Sequence, residues 1–197
     1  METVKRIPYG VADFERVIEE NMYYVDKTMY LPLLEQQPDS LFFIRPRRFG
    51  KSLFLNMLRT YYDINKKDDF EKWFGNLWIG QHPTPNRGKY LILSLDFSQV
   101  GGDIASLPQN FNLYCRRQLD GFMDTYSRYY SERAKERFYA SQSTTDKLDL
   151  LQLELRENNM PLYLIIDEYD NFTNVVLNEQ GEEVYHALTH ASGFYRD

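Results

Sequence analysis

The chain has 197 residues, 43% of them hydrophobic, and a formal net charge of −6. That apolar content builds a core and excludes a disordered chain, while the acidic balance argues against a protein that coats nucleic acid with its whole surface. One cysteine, Cys115, excludes an intrachain disulfide and a thiolate metal cluster.

The N-terminus, Met1 to Glu20, carries charges where a secretion signal needs an apolar run. No stretch approaches the ~20 apolar residues of a membrane span. The expectation is a soluble, cytoplasmic protein with no membrane partner.

Phe14, Val17, Ile18 and Met22 fall at helical spacing and predict a helix from Asp13 to Val25. A second short helix is expected over Thr28 to Gln36, broken by Pro38 and Asp39. Ser40 to Ile44 reads as a buried strand, because it is short, apolar and bounded by turns. Lys51 to Tyr61 carries Phe54, Met57, Leu58 and Tyr61 on one helix face. Phe70, Trp73, Phe74, Leu77 and Trp78 repeat that pattern. Gly80 to Gly88 is a polar loop, and Tyr90 to Phe97 a second strand. A long helical tract is expected over Leu107 to Tyr139, with Phe111, Cys115, Leu119, Phe122, Met123 and Tyr126 on one stripe. Asp146 to Glu157 reads as a helix with Thr145 as its N-cap. Leu162 to Ile166 is a third strand, and Val175 onward is expected to be helical. Strands alternating with helices argue for an α/β fold with a mostly parallel sheet.

Between the first expected strand and the helix at Lys51 lies RPRRFGKS, Arg45 to Ser52. A loop that opens a helix presents backbone N–H groups and the positive end of the helix dipole, which suit a polyphosphate. Gly50 lets the backbone approach phosphates without a Cβ in the way. Lys51 would reach the terminal phosphates, and Ser52 would place its hydroxyl on a magnesium ion. These are the roles of the GxxxxGK[ST] signature, although its first glycine falls on Arg45. The candidate nucleotide-binding stretch is Arg45, Pro46, Arg47, Arg48, Phe49, Gly50, Lys51, Ser52 and Leu53. The bland reading is an ordinary helix start with a solvated arginine rim.

LYLIIDEYD, Leu162 to Asp170, is an apolar strand ending in two carboxylates. A strand-end aspartate holds magnesium in phosphoryl-transfer sites of this kind, so Asp167 is the candidate metal ligand beside Ser52. Glu168 is the candidate general base on the attacking water, with Lys51 the other catalytic residue. Exposed turn residues are the alternative. Asp96, a third strand-end acid, would line the same crevice or end its strand as an ordinary cap.

The runs IPYGVADFERVIEENMYYVDKT, FFIRPRRFGKSLFLNML and LIIDEYDNF together resemble the AAA-ATPase-like family of bacterial P-loop ATPases, related to the AAA+ and STAND groups. The resemblance spans Ile7 to Asp197, and an arginine at the first-glycine position is usual in that family. It implies ATP as the nucleotide. It also implies that Tyr24 to Thr28 packs near the nucleotide, with Asp26 and Lys27 as candidates. Longer members carry a C-terminal nuclease-like domain of the PD-(D/E)XK type. In related ATPases a later strand lies between the loop strand and the acidic strand, and an arginine finger and helical lid follow. On that topology these 197 residues are an incomplete core, a fragment of a longer protein.

Other signals carry less. Glu183, His186 and His190 share a helical face but read as solvated. Tyr126 to Tyr139 interleaves aromatic and basic residues, as single-strand nucleic-acid binders do, yet Glu132 and Glu136 sit among the arginines and pairing along the helix explains them. Cys115 reads as a core residue.

The combined expectation is an α/β fold, a P-loop NTPase three-layer αβα sandwich with a mostly parallel sheet, incomplete at its C-terminus. Residues 1–38 would form a helical extension packed on an ATPase core, 39–197. Its function would be binding of ATP with magnesium and hydrolysis that drives a conformational change in a longer protein. A neighbouring subunit or partner domain would supply an arginine. Two rivals stay open: a nucleotide-dependent switch without turnover, and a nucleic-acid-associated module of a defence or mobile-element protein.

Overall fold

The computed structural model describes residues 4–37, 40–44, 46, 49–103 and 105–169. It divides into two compact units. One runs to Ile92 and takes in Met160–Tyr163; the other comprises Leu93–Asn159 and continues from Leu164.

In the first unit, Asp13 caps α1 (Phe14–Glu19) by accepting the Arg16 N–H at 3.0 Å. The helix stops short of the expected Val25. Asn21 takes a left-handed φ of 47°. The Met22 N–H then reaches back to the Val17 carbonyl at 2.9 Å, and the Asn21 N–H to Ile18 at 3.0 Å. This pair of bonds ends a helix in a Schellman turn, and Met22 is buried by it. A 3-10 turn over Thr28–Tyr30 leads into α2 (Leu31–Leu34), with Pro32 near its start.

Ser40 to Ile44, expected as a buried strand, is not one. Phe42 and Ile44 are each 82% exposed. Apolar content supplies a strand with a face, but a ladder partner makes it a strand. The described sheet consists of two other segments. Phe43 of this run packs inward, stacking on Phe54 at 5.0 Å.

The helix α3 (Lys51–Tyr62) forms where the pattern places it, burying Phe54, Met57, Leu58 and Tyr61. It packs on α1, and the Asn56 amide oxygen accepts the Phe14 N–H at 2.7 Å. Phe14 stacks on Phe74 at 5.1 Å, and Tyr61 meets Phe74 edge-on at 5.3 Å. These rings form the heart of the first unit.

The aromatic stripe from Phe70 to Trp78 is not one helix. A 3-10 stretch (Ile64–Asp69) runs into α4 (Phe70–Phe74), and α5 (Trp78–Gln81) starts afresh after the extended Leu77. The restart has a tertiary cause. Asp26 Oδ2 accepts the Trp78 N–H at 2.7 Å, and Thr28 Oγ1 accepts the Ile79 N–H at 3.1 Å. A cap brought from fifty residues upstream satisfies the orphan donors of a new helix.

β1 (Leu91–Asp96) and β2 (Leu162–Asp167) pair in parallel, so the chain is a mixed α/β protein. Leu91, Ile92 and Leu93 are buried.

The second unit holds α6 (Leu107–Thr125), α7 (Glu132–Ala140) and α8 (Thr144–Glu157). The single tract expected over Leu107 to Tyr139 splits after Thr125, and Ser131 recaps the chain by accepting the Ala134 N–H. The N-cap of α8 is Ser143, which accepts the Asp146 N–H at 3.2 Å, and not Thr145 as the sequence suggests. Lys147 is 2% exposed, paired with Asp120 at 2.5 Å and seated over the Phe138 ring at 4.2 Å. Cys115 packs beside Val100, Leu107 and Tyr114, and burial raises its thiol pKa. The helix expected from Val175 onward lies outside the described residues.

Candidate functional site

The loop end belongs to the first unit. Arg45, Arg47 and Arg48 lie outside the described residues. Pro46 is exposed, and its carbonyl accepts the Phe49 N–H at 3.3 Å. Phe49 is 66% exposed. Gly50 then takes φ 76° and ψ 27° and forms the N-cap of α3 without any capping side chain. A residue with a Cβ is strained in that left-handed conformation, so glycine fits here for a physical reason. Lys51 opens the helix, followed by the exposed Ser52 and half-buried Leu53.

Lys27 comes to the same place from far away in sequence. Its Nζ lies 4.0 Å from where a Cβ on Gly50 would stand. Lys27 sits on a fixed backbone. Asp26 Oδ1 accepts from the Thr28 N–H at 2.8 Å and from its hydroxyl at 2.7 Å, and both residues cap α5. The two candidates Asp26 and Lys27 thus part company: the carboxylate is spent on capping, while the ammonium faces the loop.

The acidic end belongs to the second unit. β1 and β2, neighbouring parallel strands, each finish in an aspartate, Asp96 and Asp167. Asp96 caps the turn after its strand, accepting the Ser98 N–H at 3.0 Å, which favours the ordinary role. Asp167 and Glu168 are half-buried. Glu168 has φ 51°, and its N–H donates to Asp167 Oδ1 at 2.9 Å. A glutamate held left-handed costs about 1–2 kcal/mol, and such strain concentrates at functional sites.

Loop and acids are each described within their own unit. The metal donors expected there, the Ser52 hydroxyl and the Asp167 carboxylate, are hard oxygens of the kind magnesium takes alongside water and phosphate. Among the described residues no group of three or more His, Cys, Asp or Glu is gathered for a metal. Glu183, His186 and His190 lie outside them. In the aromatic and basic stretch Tyr126 to Tyr139, Lys135 pairs with Glu132 on α7, and the Arg128 guanidinium covers the Tyr129 ring at 4.8 Å.

Sequence reading missed a second feature of the loop end. Tyr30, Leu33, Leu34, Gln37, Phe43 and Phe54 line an apolar cavity of about 270 Å³ in the first unit. The surplus of apolar residues on a short helix, with Leu33 54% exposed, was the available signal.

A glycine-led helix start with Lys51 in its first turn and Lys27 nearby is a place where an anion can bind, because the first backbone N–H groups of a helix are unpaired within it. The chain belongs to the AAA-ATPase-like family: the model of that family, described as "Predicted AAA-ATPase", matches residues 8–197. That membership supports nucleotide binding. A curated relative, "Uncharacterized protein in vnfD 5'region" of Azotobacter chroococcum mcd 1, is 43% identical over 86 residues, covering 41% of this chain. The chain spans only 16% of that relative's length. No solved structure matches. No described helix is long and apolar enough to cross a membrane.

Proposed function

We propose that the chain binds ATP with magnesium and hydrolyses it. The observation that carries this reading is the left-handed Gly50 at the start of the twelve-residue α3, with Lys51 inside the helix and Lys27 approaching from Tyr24 to Thr28. Family membership supports it independently.

In this reading the backbone N–H groups of the loop and the two ammonium groups hold the phosphates. By their order in the motifs, Ser52 and Asp167 would be the magnesium ligands, and magnesium would supply charge neutralisation on the phosphate oxygens. Glu168 takes a proton from the attacking water. Positioning and charge stabilisation supply most of the catalysis in this chemistry. The fold completes as a three-layer sandwich, with 1–38 as an extension on the 39–197 core. In a longer protein, turnover drives a conformational change with an arginine supplied by a partner.

Calorimetry of ATP binding, with and without magnesium, tests the reading. The expected result is magnesium-dependent binding weakened at least a hundredfold in Lys51→Ala. Folded protein that binds ATP no better than its Lys51→Ala variant would reduce RPRRFGKS to a basic rim.

A further inference from the structure

We propose that the cavity lined by Tyr30, Leu33, Leu34, Gln37, Phe43 and Phe54 is the seat of the nucleotide's adenine ring. The inference rests on the phosphate site proposed above and extends it to base recognition.

Two chain paths lead from the phosphate end to this cavity, each by one helical turn. Along α3, the Phe54 N–H donates to the Gly50 carbonyl at 3.0 Å, so a cavity wall lies directly one turn beyond the loop glycine. Along the 3-10 turn, the Tyr30 N–H donates to the Lys27 carbonyl at 3.2 Å. Thus the residues that converge on the loop, Lys27 and Gly50, each carry a cavity-lining aromatic one turn on. A helical turn rises about 5 Å, a spacing that leaves room for a ribose between the phosphates and a ring.

The walls suit a flat aromatic guest. Phe43 and Phe54 stack on each other at 5.0 Å with their planes 20° apart. Tyr30 and Leu33 are about half exposed, so an apolar surface stands open to solvent at the cavity mouth. The volume, about 270 Å³, falls just below the ~300–1,000 Å³ of sites that enclose whole drug-sized ligands, which matches a ring with its sugar left outside. Gln37 closes the rim, its Nε2 donating to the Leu33 carbonyl at 3.3 Å. A primary amide carries a donor and an acceptor together, the pair that reads the N6–N7 edge of adenine. Guanine presents two acceptors on that edge and satisfies only half of the amide.

The test compares ATP with inorganic tripolyphosphate, which has phosphates and no base. Binding of both is measured with magnesium on the 197-residue chain, on Tyr30→Ala/Leu33→Ala and on Gln37→Ala. Both truncated side chains are part-exposed, and tripolyphosphate binding reports whether the loop survives. The expected result is a tenfold or greater loss of ATP affinity in the double variant with tripolyphosphate affinity unchanged. Gln37→Ala should narrow the preference for ATP over GTP. Unchanged ATP affinity in the double variant would overturn the base seat and leave the phosphate site standing. Equal loss of both ligands would overturn the separation of ring pocket from phosphate cradle. Failure of the unaltered chain to bind either ligand would overturn the phosphate reading and the base seat with it.

Discussion

Gly50 and Glu168 occupy the same unusual backbone region, at φ 76° and φ 51°, yet one has no side chain and the other a long acidic one. Glycine enters that region at no steric cost, so Gly50 tells us only that the backbone must turn. Glutamate pays to be there. Among the described residues, Asn21 and Asn159 are the other left-handed non-glycine positions, and asparagine tolerates the conformation with its short polar side chain. Glu168 is the exception, and its side chain has to justify the strain. The loop end is built by removing a side chain; the acidic end is built by holding one in place.

Substitutions at each end break this contrast in different ways. The largest effect is expected for Glu168→Gln. It keeps the shape and removes the base, so phosphate release should fall by about 10²–10⁴ while ATP affinity stays within a few-fold. Steady-state phosphate release beside calorimetry reads both numbers. Equal turnover in the two proteins would mark a nucleotide switch that does not hydrolyse.

At the loop, Gly50→Asn separates backbone conformation from close approach. Asparagine tolerates left-handed φ, so the melting temperature should move by only a few degrees. Its side chain fills the cradle, and ATP affinity should fall about tenfold, which is ~1.4 kcal/mol. Intact affinity would show that the cradle does not receive phosphate.

A smaller effect sharpens the strain argument. Glu168→Gly should relieve the left-handed cost and stabilise the fold by about 0.5–1 kcal/mol, net of the entropy glycine adds to the unfolded chain. Asn159→Gly, at an ordinary turn, should show no such gain. Urea unfolding of the two variants compares them, and equal shifts would remove the case for strain at Glu168.

The smallest expected effect concerns pH and the aromatic interior of the first unit. Burial raises the phenol pKa of Tyr24, Tyr62 and Tyr163, and for Tyr62 the neighbouring Glu35 carboxylate adds to it. A raised folded-state value favours the neutral phenol. Stability is therefore fully present below the ordinary value of about 10 and is lost as pH rises beyond it, because the unfolded chain releases those protons first. Melting temperature should be level from pH 8 to about 9.5 and decline above. Tyr62→Phe should soften that decline.

Legibility followed the range of the interactions involved. The α3 face was readable because Phe54, Met57, Leu58 and Tyr61 repeat with the helix period, and that period is local. The two strands were readable as short apolar runs, Leu91 to Leu95 broken only by Ser94 and Leu162 to Ile166, each followed by an aspartate, Asp96 and Asp167. The first helix was overextended past Glu19 because the apolar period continues to Met22, although it does so through a left-handed Asn21. Ser40 to Ile44 has the composition of a buried strand and does not form one, because apolar composition carries no information about a pairing partner.

By itself, the sequence determined the alternation of helices and strands, the basic glycine-containing loop at the head of α3 and the acidic pair closing an apolar strand. Each of these depends on neighbours within a few residues, which a linear pattern records. Tertiary structure decided that Asp26 caps α5 while Lys27 faces Gly50, and that Tyr30, Leu33, Gln37, Phe43 and Phe54 line one cavity. Those outcomes depend on segments well separated along the chain meeting in space, Asp26 with Trp78 and Tyr30 with Phe54 among them, and no periodicity in the chain encodes such a meeting.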